Sequence, residues 1–446
     1  MKYRKTIIDK NHKDVFERLL TISDEYKIFS ILNSNDFSHD KYSKYDWIAA
    51  FSHIDLVKYR IGEANNFSNF LEIHDNEWKF LYLSYDLKNK FEKLSSNNTD
   101  KLGFYDVFIF IPKFIIYSIK GKIELLSHED TTHKEEEEFI ESINTSTSSK
   151  ASNNSIQLSF NHRVNRIDYL KTINNIREDI KYGDIYEMNF CQEFYVDNIE
   201  LNPLDIYNKL TLHSPAPFSA FFKENERFIM SASPERYIQK TNNKILSQPI
   251  KGTAKRTHSD KDSQIKSELQ NSIKERAENI MIVDLVRNDL SRIAASKNVK
   301  VDELCEIYNF PHVFQMISTV SCELEYKTNF TKILESTFPM GSMTGAPKIK
   351  AMELIEKYET SKRGIFSGSV GYIDDKGDFD FNVIIRTLLY NSKNKYLSLT
   401  TGGAITYLSD AEQEYEESLL KAEAVFEVFS SKDYLGISNW ELGIKN

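Results

Sequence analysis

Short apolar runs closed by Asn-, Ser- and Asp-rich breaks constrain this chain more than any other feature. Tyr45-Asp46-Trp47-Ile48-Ala49-Ala50-Phe51 and Trp78-Lys79-Phe80-Leu81-Tyr82-Leu83 are of this kind, and such runs read as strands. Residues 1 to 128 are therefore expected to form a sheet-rich amino-terminal domain. Residues 129 to 156 turn polar and charged, through Asp130-Thr131-Thr132-His133 and four successive glutamates, and read as a low-complexity linker or loop. Residues 157 to 432 alternate helical stretches with strands and carry every chemical motif, and 433 to 446 form a tail. With 446 residues, 40% of them hydrophobic, the chain can bury a large core. A net charge of −9 excludes nucleic acid and anionic membrane as main partners, because both demand concentrated basic charge, and points to a small ligand. Cys191, Cys305 and Cys322 cannot all pair and lack metal-ligand spacing, so a reducing compartment, the cytoplasm, is expected. The start, Met1-Lys2-Tyr3-Arg4-Lys5, is no signal core, and no apolar run reaches membrane length.

The chemistry starts at Ser247-Gln248-Pro249-Ile250-Lys251-Gly252-Thr253. A lysine between a Pro-Ile pair and a Gly-Thr turn is expected to be partly desolvated, which lowers its pKa and frees the amine as a nucleophile. Snorkelling of the Lys251 stem over apolar surface is the plain alternative. Upstream, Ser231-Ala232-Ser233-Pro234-Glu235-Arg236 sets a carboxylate beside a guanidinium in a turn between two strands, so Glu235 is the candidate general acid or base.

Three segments can be oriented. From Asp260 to about Ala295 a helical pattern runs without Pro or Gly and aligns Glu275, Glu278, Ile282 and Leu285. A second helix, with Ser409 and Glu412 in capping-box spacing, buries Tyr415, Leu419, Ala422, Phe426 and Phe429 and aligns Glu414, Glu417 and Lys421. Phe379 to Tyr390 alternates as one strand, with Asp380, Asn382 and Arg386 on its polar face. Two Glu-x-x-Glu pairs offer hard oxygen donors of the kind magnesium takes, although a single such pair could equally be a solvated helix face. Arg386, Lys421 and the amides of Gly402 and Gly403 suit carboxylate recognition. Gly341-Ser342-Met343-Thr344-Gly345-Ala346-Pro347-Lys348 leads into an expected helix from Lys348 to Glu359. The residues by themselves indicate a magnesium-dependent enzyme for a small, multiply carboxylated substrate.

The ordered set SPER, PIKGT, ERAEN with IVDLVRND, GSMTGAPK, GSVGY, IRT, TGGAI and EYEES with Lys421 resembles the chorismate-utilising enzymes over roughly residues 160 to 430. The resemblance implies an α+β fold of large mixed or antiparallel sheets with helices packed outside. Within the family, Lys251 resembles members that form an amine for para-aminobenzoate and folate synthesis, whereas anthranilate synthase large subunits usually carry alanine there. It implies that Lys251 adds to the chorismate ring as the allylic hydroxyl departs, that Glu235 assists proton transfer, and that ammonia then displaces the lysine. It further implies Mg2+ on Glu278 and Glu417, with Glu275 and Glu414 reached through water. Arg386, Lys421, Thr344, Gly402 and Gly403 would fix the substrate carboxylates, with Ser342 and Glu187 also in the binding set.

Two departures stand out. Glu187 replaces the water-activating lysine of isochorismate- and salicylate-forming relatives and the glutamine usual in amine-forming ones. Gln315 replaces a usual histidine that anthranilate synthases link to pyruvate elimination, which suits a product that keeps its enolpyruvyl group. In relatives the amino-terminal part can hold tryptophan near a Leu-Leu-Glu-Ser motif; here Ile31-Leu32-Asn33-Ser34 departs from it, and no tryptophan site is expected. No Gly-x-Cys-x-Gly nucleophile turn appears, so ammonia is expected from solution or a separate glutamine amidotransferase subunit. An anthranilate or isochorismate synthase on the same fold, and a catalytically silent ligand-binding or regulatory subunit, are the alternatives.

Overall fold

A computed structural model describes residues 2–37, 40–64, 66–147, 158–310 and 313–429, apart from the side chain of Ala424. The expected tail, 433–446, and the last nine residues of the expected linker, 148–156, lie outside the described residues.

Period-two alternation builds two antiparallel sheets. In Trp47–Phe51, for instance, Ile48 and Ala50 face the core between the sheets while Trp47, Ala49 and Phe51 face the opposite layer. The first sheet runs through Tyr3–Ile8, Lys122–His128, Phe114–Ile119, Trp47–Phe51 and Ile28–Asn33. It continues through Phe218–Glu224, Arg227–Ser233, Thr387–Asn391, Tyr396–Thr406, Glu187–Val196 and Gly345–Ala346. The second sheet begins with Ile250–Lys255, Val313–Leu324, Lys244–Gln248, Arg236–Thr241 and Phe379–Asn382. Ser369–Ile373, Lys79–Leu83, Val107–Ile111 and Asp55–Tyr59 continue it, and Ala294–Asn309 pairs with Val313–Leu324 as a branch. Between the sheets Phe80, Phe108, Phe110 and Phe222 pack with Ile229, Tyr237 and Ile238. Helices His12–Ile22, His133–Thr145, Pro203–His213 and Ala411–Phe426 cover the other face of the first sheet. The expected α+β arrangement, with helices outside large sheets, is the one observed.

The two stretches read as separate domains share both sheets. Ile28–Asn33 pairs with Phe218–Glu224 in one, and Lys79–Leu83 pairs with Ser369–Ile373 in the other. The stretch read as a linker contains the helix His133–Thr145, closed at its start by a reciprocal Thr132–Glu135 capping box. Phe139 and Ile143 give that helix an apolar edge one turn apart, and Phe139 stacks on Phe114 at 4.4 Å. Charge-rich composition concealed these two anchors.

Three further expectations change in detail. The helical pattern from Asp260 is two helices, Asp262–Asn271 and Ile273–Ser291, because the Ser272 hydroxyl accepts the Glu275 N–H and caps the second. Asp410, not Ser409, caps Ala411–Phe426; the Ser409 hydroxyl accepts the Thr406 N–H instead. The single strand expected from Phe379 to Tyr390 is divided between the sheets, as Phe379–Asn382 and Thr387–Asn391. The helix after Pro347 spans Lys348–Tyr358, as expected to within one residue. Among the described residues no helix is long and apolar enough to cross a membrane.

Arg236 locks the amino-terminal part to the second sheet. Its guanidinium is buried and bonds Asp40 at 2.8 Å, Asp380 at 2.8 Å and the Gln248 side chain. Replacing it with an apolar residue strands two buried carboxylates. Arg236→Met should cost about 3–5 kcal/mol in denaturant unfolding, and adding Asp40→Leu and Asp380→Leu should recover most of the loss; a single variant as stable as the parent contradicts the role assigned to the cluster.

Candidate active site

Two places where the chain leaves one sheet for the other lie side by side. Pro234-Glu235 joins Arg227–Ser233 of the first sheet to Arg236–Thr241 of the second, and residues 383–386 make the return from Phe379–Asn382 to Thr387–Asn391. They are stitched together by Val383 N–H donating to Glu235 O at 3.0 Å and Ala232 N–H donating to Arg386 O at 3.2 Å. Glu235 and Arg386 thus sit at the seam where both ladders are interrupted.

Lys251 enters the seam from a bulge. Register slips by one residue between Ile250 and Thr253 opposite Val313–Leu324, and Gly252 takes the extra residue at φ +90°. A side chain there would also press on Glu275, because an added Cβ would stand 3.0 Å from its Oε2. Lys251 Nζ donates to Glu187 Oε1 at 3.0 Å. Glu187 is held in place from below, since Gly345, paired with Met188, lies so close that an added Cβ would fall 2.1 Å from the Glu187 carbonyl oxygen.

The lysine was expected to have a lowered pKa, and the structure reverses this. Burial does pull it down, but the Glu187 charge and hydrogen bond, with Glu278 and Glu235 nearby, outweigh burial and raise it. The seam holds an ion pair, not a free amine. The carboxylates respond in the opposite sense. Burial pushes Glu235 up to about 7 against its hydrogen bond with Ser342, the charge of Lys251 and the Ile250 amide. Burial also pushes Glu278 up to about 7, opposed by Lys251 and reinforced by Glu187 and Glu275.

The second Glu-x-x-Glu pair lies across the opening. An added Cβ on Gly403 would stand 3.1 Å from Glu414 Oε2 and 3.9 Å from Glu417 Oε1. Burial, with neighbouring Glu417, raises Glu414, whereas Lys421 holds Glu417 below the usual carboxylate range despite its burial. Lys421 Nζ bridges Glu417 Oε1 and the Gly402 carbonyl, both at 2.8 Å. Lys274 faces the pairs on both helices: its charge acts on Glu278, Glu414 and Glu417, and its Nζ is 3.9 Å from Glu278 Oε1. Among the described residues no three His, Cys, Asp or Glu side chains are gathered closely enough to hold a metal as they stand.

The anion-binding candidates divide. Arg386 is half-buried, desolvation lowers its pKa, and its guanidinium makes no hydrogen bond or ion pair among the described residues. A half-buried cation without a partner favours an anionic ligand. Gly402 and Gly403 lie in the ladder opposite Cys191 and Phe190. Thr344 is fully buried, and its hydroxyl donates inward to the carbonyls of Met340 and Gly341. Gln315 is buried opposite Thr253 with its Oε1 unpartnered.

Sequence reasoning missed Lys274 and the buried Arg363. Arg363 bonds Glu359, the Met343 carbonyl at 2.6 Å and the Asn189 carbonyl at 2.8 Å, fixing the Gly341–Met343 turn against the strand that carries Glu187. Nothing in the local pattern Ser361-Lys362-Arg363-Gly364 distinguishes it from a surface arginine. Leu32, Asn33 and Ser34, the stretch compared with the tryptophan motif, line a separate cavity with Tyr45, Phe218 and Tyr372.

A family model for chorismate binding enzymes matches residues 17–427, and the chain belongs to that family. It is 38% identical over 263 residues to aminodeoxychorismate synthase component 1 of Salmonella typhimurium, a stretch covering 59% of this chain and 57% of that relative. It is 33% identical over 348 residues to the protein of the same name in Escherichia coli, covering 76% and 74% of the two chains. The crystal structure of anthranilate synthase component I from Streptococcus pneumoniae shares the fold at a TM-score of 0.76 and 24% identity, covering 90% of this chain and 92% of that one.

The Ser342 hydrogen bond stabilises the Glu235 anion, so its removal should raise that pKa. In Ser342→Ala, Glu235 observed by carbon-13 NMR should titrate above about 7. An unchanged or lower midpoint contradicts the assignment.

Proposed function

We propose that the protein is an aminodeoxychorismate synthase, converting chorismate and ammonia to 4-amino-4-deoxychorismate and water through a covalent adduct on Lys251. The observation that carries the reading is a buried primary amine beside a carboxyl group half-protonated near neutrality, Lys251 and Glu235, at one seam. The names of the two relatives support the reaction at moderate identity.

Lys251 is the nucleophile and forms the C–N bond to the ring. Glu235, protonated up to about pH 7, gives its proton to the departing allylic hydroxyl, which leaves as water. Ammonia then forms the new C–N bond, and the bond to Lys251 breaks with its electron pair returning to Nζ. Arg386 supplies the unpartnered guanidinium for a substrate carboxylate, and Lys421 stands at the edge of the same opening. Loss of water, with no step that expels pyruvate, keeps the enolpyruvyl group. Ammonia comes from a separate glutamine amidotransferase subunit, in keeping with the component 1 naming of the relatives.

Mg2+ belongs to this reading. The donor chemistry fits: two carboxylate pairs face one opening, and burial, reinforced by neighbouring carboxylates, raises both Glu278 and Glu414. Glu278 and Glu417 would hold the ion and Glu275 and Glu414 its waters, where Lys274 and Lys251 now supply positive charge that acts on both pairs. When bound, Mg2+ supplies charge against the ring carboxylate and disperses developing negative charge.

Incubation with chorismate, an ammonium salt and Mg2+, followed by the lyase that consumes aminodeoxychorismate, should yield para-aminobenzoate, and EDTA should stop it. Anthranilate or isochorismate as main product would select the alternative activity on this fold, and binding without turnover a silent subunit. Lys251→Ala should abolish the adduct seen by intact-protein mass spectrometry. Because Glu235 must carry its proton, kcat/KM should fall above about pH 7; a rate still climbing at pH 9 would remove Glu235 from the acid's role.

A further inference from the structure

The strand Val313–Leu324 has a bulged neighbour on each side, and both bulges fall at one level. On one side Ile250–Lys255 gains a residue between Ile250, opposite Ile317, and Thr253, opposite Gln315; this is the bulge that carries Lys251. On the other side Ala294–Asn309 gains one between Glu303, opposite Thr319, and Glu306, opposite Ile317, and there Cys305 takes φ +56°. Bulges take backbone groups out of the ladder, and buried ones need other partners. Ser318 is buried and serves both sides. Its N–H donates to the Pro249 carbonyl at 3.2 Å, and its hydroxyl accepts the Cys305 N–H at 2.9 Å. The same hydroxyl donates to Asn279 Oδ1, and Asn279 Nδ2 donates to the Met316 carbonyl at 3.2 Å. Asn279 is the buried last residue of Glu275-Arg276-Ala277-Glu278-Asn279, on the helix Ile273–Ser291, one turn beyond Glu275. Glu275 in turn rests on the Lys251 bulge, since a Cβ added to Gly252 would stand 3.2 Å from the Glu275 Cβ.

We propose that Asn279, acting through Ser318, is a positioning residue that fixes the Lys251 bulge against the helix of Glu275 and Glu278. The inference rests on the covalent reading above and adds to it a residue that takes no part in the chemistry itself. A bulge can migrate along its strand, and a shift of one residue turns every affected side chain to the opposite face of the sheet. Lys251 reaches Glu187 and the seam from one face only. Asn279 opposes migration by gripping the facing strand at two points, the Met316 carbonyl and the Ser318 hydroxyl, level with the bulge. Ser318 passes the constraint on, because its own N–H holds the carbonyl of Pro249, two residues before Lys251. Helix, strand and bulge are thereby referred to one buried amide. Arg386 and Lys421 stand on other elements, so the grip governs where the amine lies and not how the substrate carboxylates are held.

The test measures the rate at which the Lys251 adduct forms from chorismate with ammonia withheld, by quench and intact-protein mass spectrometry, beside KM for chorismate in the amination reaction. Asn279→Ala should slow the adduct by about 30-fold, as a small misplacement of a reacting atom does, with KM changed by less than about twofold. Ser318→Ala should slow it by about tenfold, again with KM nearly unchanged. The double variant should be no slower than Asn279→Ala alone, because both substitutions break one network. Asn391→Ala is the control: it removes a buried hydrogen bond to the Leu102 carbonyl, 2.7 Å long, at the opposite end of Thr387–Asn391 from the seam. It should lower the thermal midpoint and keep the parental rate. A folded Asn279→Ala at the parental rate overturns the proposal, as do single effects that multiply in the double variant or an Asn391→Ala slowed to the same extent. If Asn279→Ala does not fold, Ser318→Ala decides by the same rate and KM. A parent that aminates chorismate without an adduct on Lys251 removes the covalent reading and this inference with it. A parental adduct combined with unaffected variants rejects the positioning role alone.

Discussion

Two backbone hydrogen bonds between neighbouring crossovers decide where this protein can do chemistry. Val383 N–H to Glu235 O and Ala232 N–H to Arg386 O hold together the two points at which the chain abandons one sheet for the other. Sheets otherwise satisfy their backbone polar groups in ladders and turn side chains into an apolar core. Where both ladders stop, backbone and side chains can be polar without breaking that core. Arg386 takes up φ +49° there, a backbone conformation uncommon outside glycine, within a return held by its neighbours. Everything else in the site is aimed at this seam: the bulge of Lys251, the end of the strand bearing Glu187, and the starts of two helices.

The seam is crowded with charge, and its members set one another's protonation. Burial alone would neutralise both the lysine and its carboxylate neighbours. Instead the Glu187 charge and hydrogen bond outweigh burial and hold Lys251 charged, while burial lifts Glu235 and Glu278 to about 7. The site therefore contains a charged pair and two carboxyl groups close to their midpoint near neutral pH. Lys421 and Lys274 draw Glu417 down across the opening, and among the described residues the Arg386 guanidinium has no partner. In the proposed function a substrate carboxylate would complete the set. The supporting residues are equally polar and equally buried: Arg363 ties the Gly341–Met343 turn to the Glu187 strand, and Arg236 fastens the amino-terminal part beneath Glu235.

Much of this was legible in the chain before folding. Period-two runs gave the strands, 3.6-residue periodicity placed Glu275 with Glu278 and Glu414 with Glu417, and the ordered motifs indicated the family. Those features are local, governed by the spacing of side chains along one element. Some of the errors were local too. A serine at 272 ended one helix and began the next, and a glutamate-rich stretch hid the two aromatic and aliphatic anchors of His133–Thr145. Arg363 left no mark at all, since a buried arginine and an exposed one are spelled alike.

What the sequence determined by itself was an inventory: the strands, the helices, and which residue types could perform acid, nucleophilic and metal-binding chemistry. Tertiary structure decided the meaning of Lys251. Its near neighbours in sequence are apolar and restrictive and imply a lowered pKa, but Glu187, 64 positions away, supplies a carboxylate at 3.0 Å and reverses the sign. Electrostatic energy depends on distance through space and on exclusion of water, and neither is written in the order of residues along the chain.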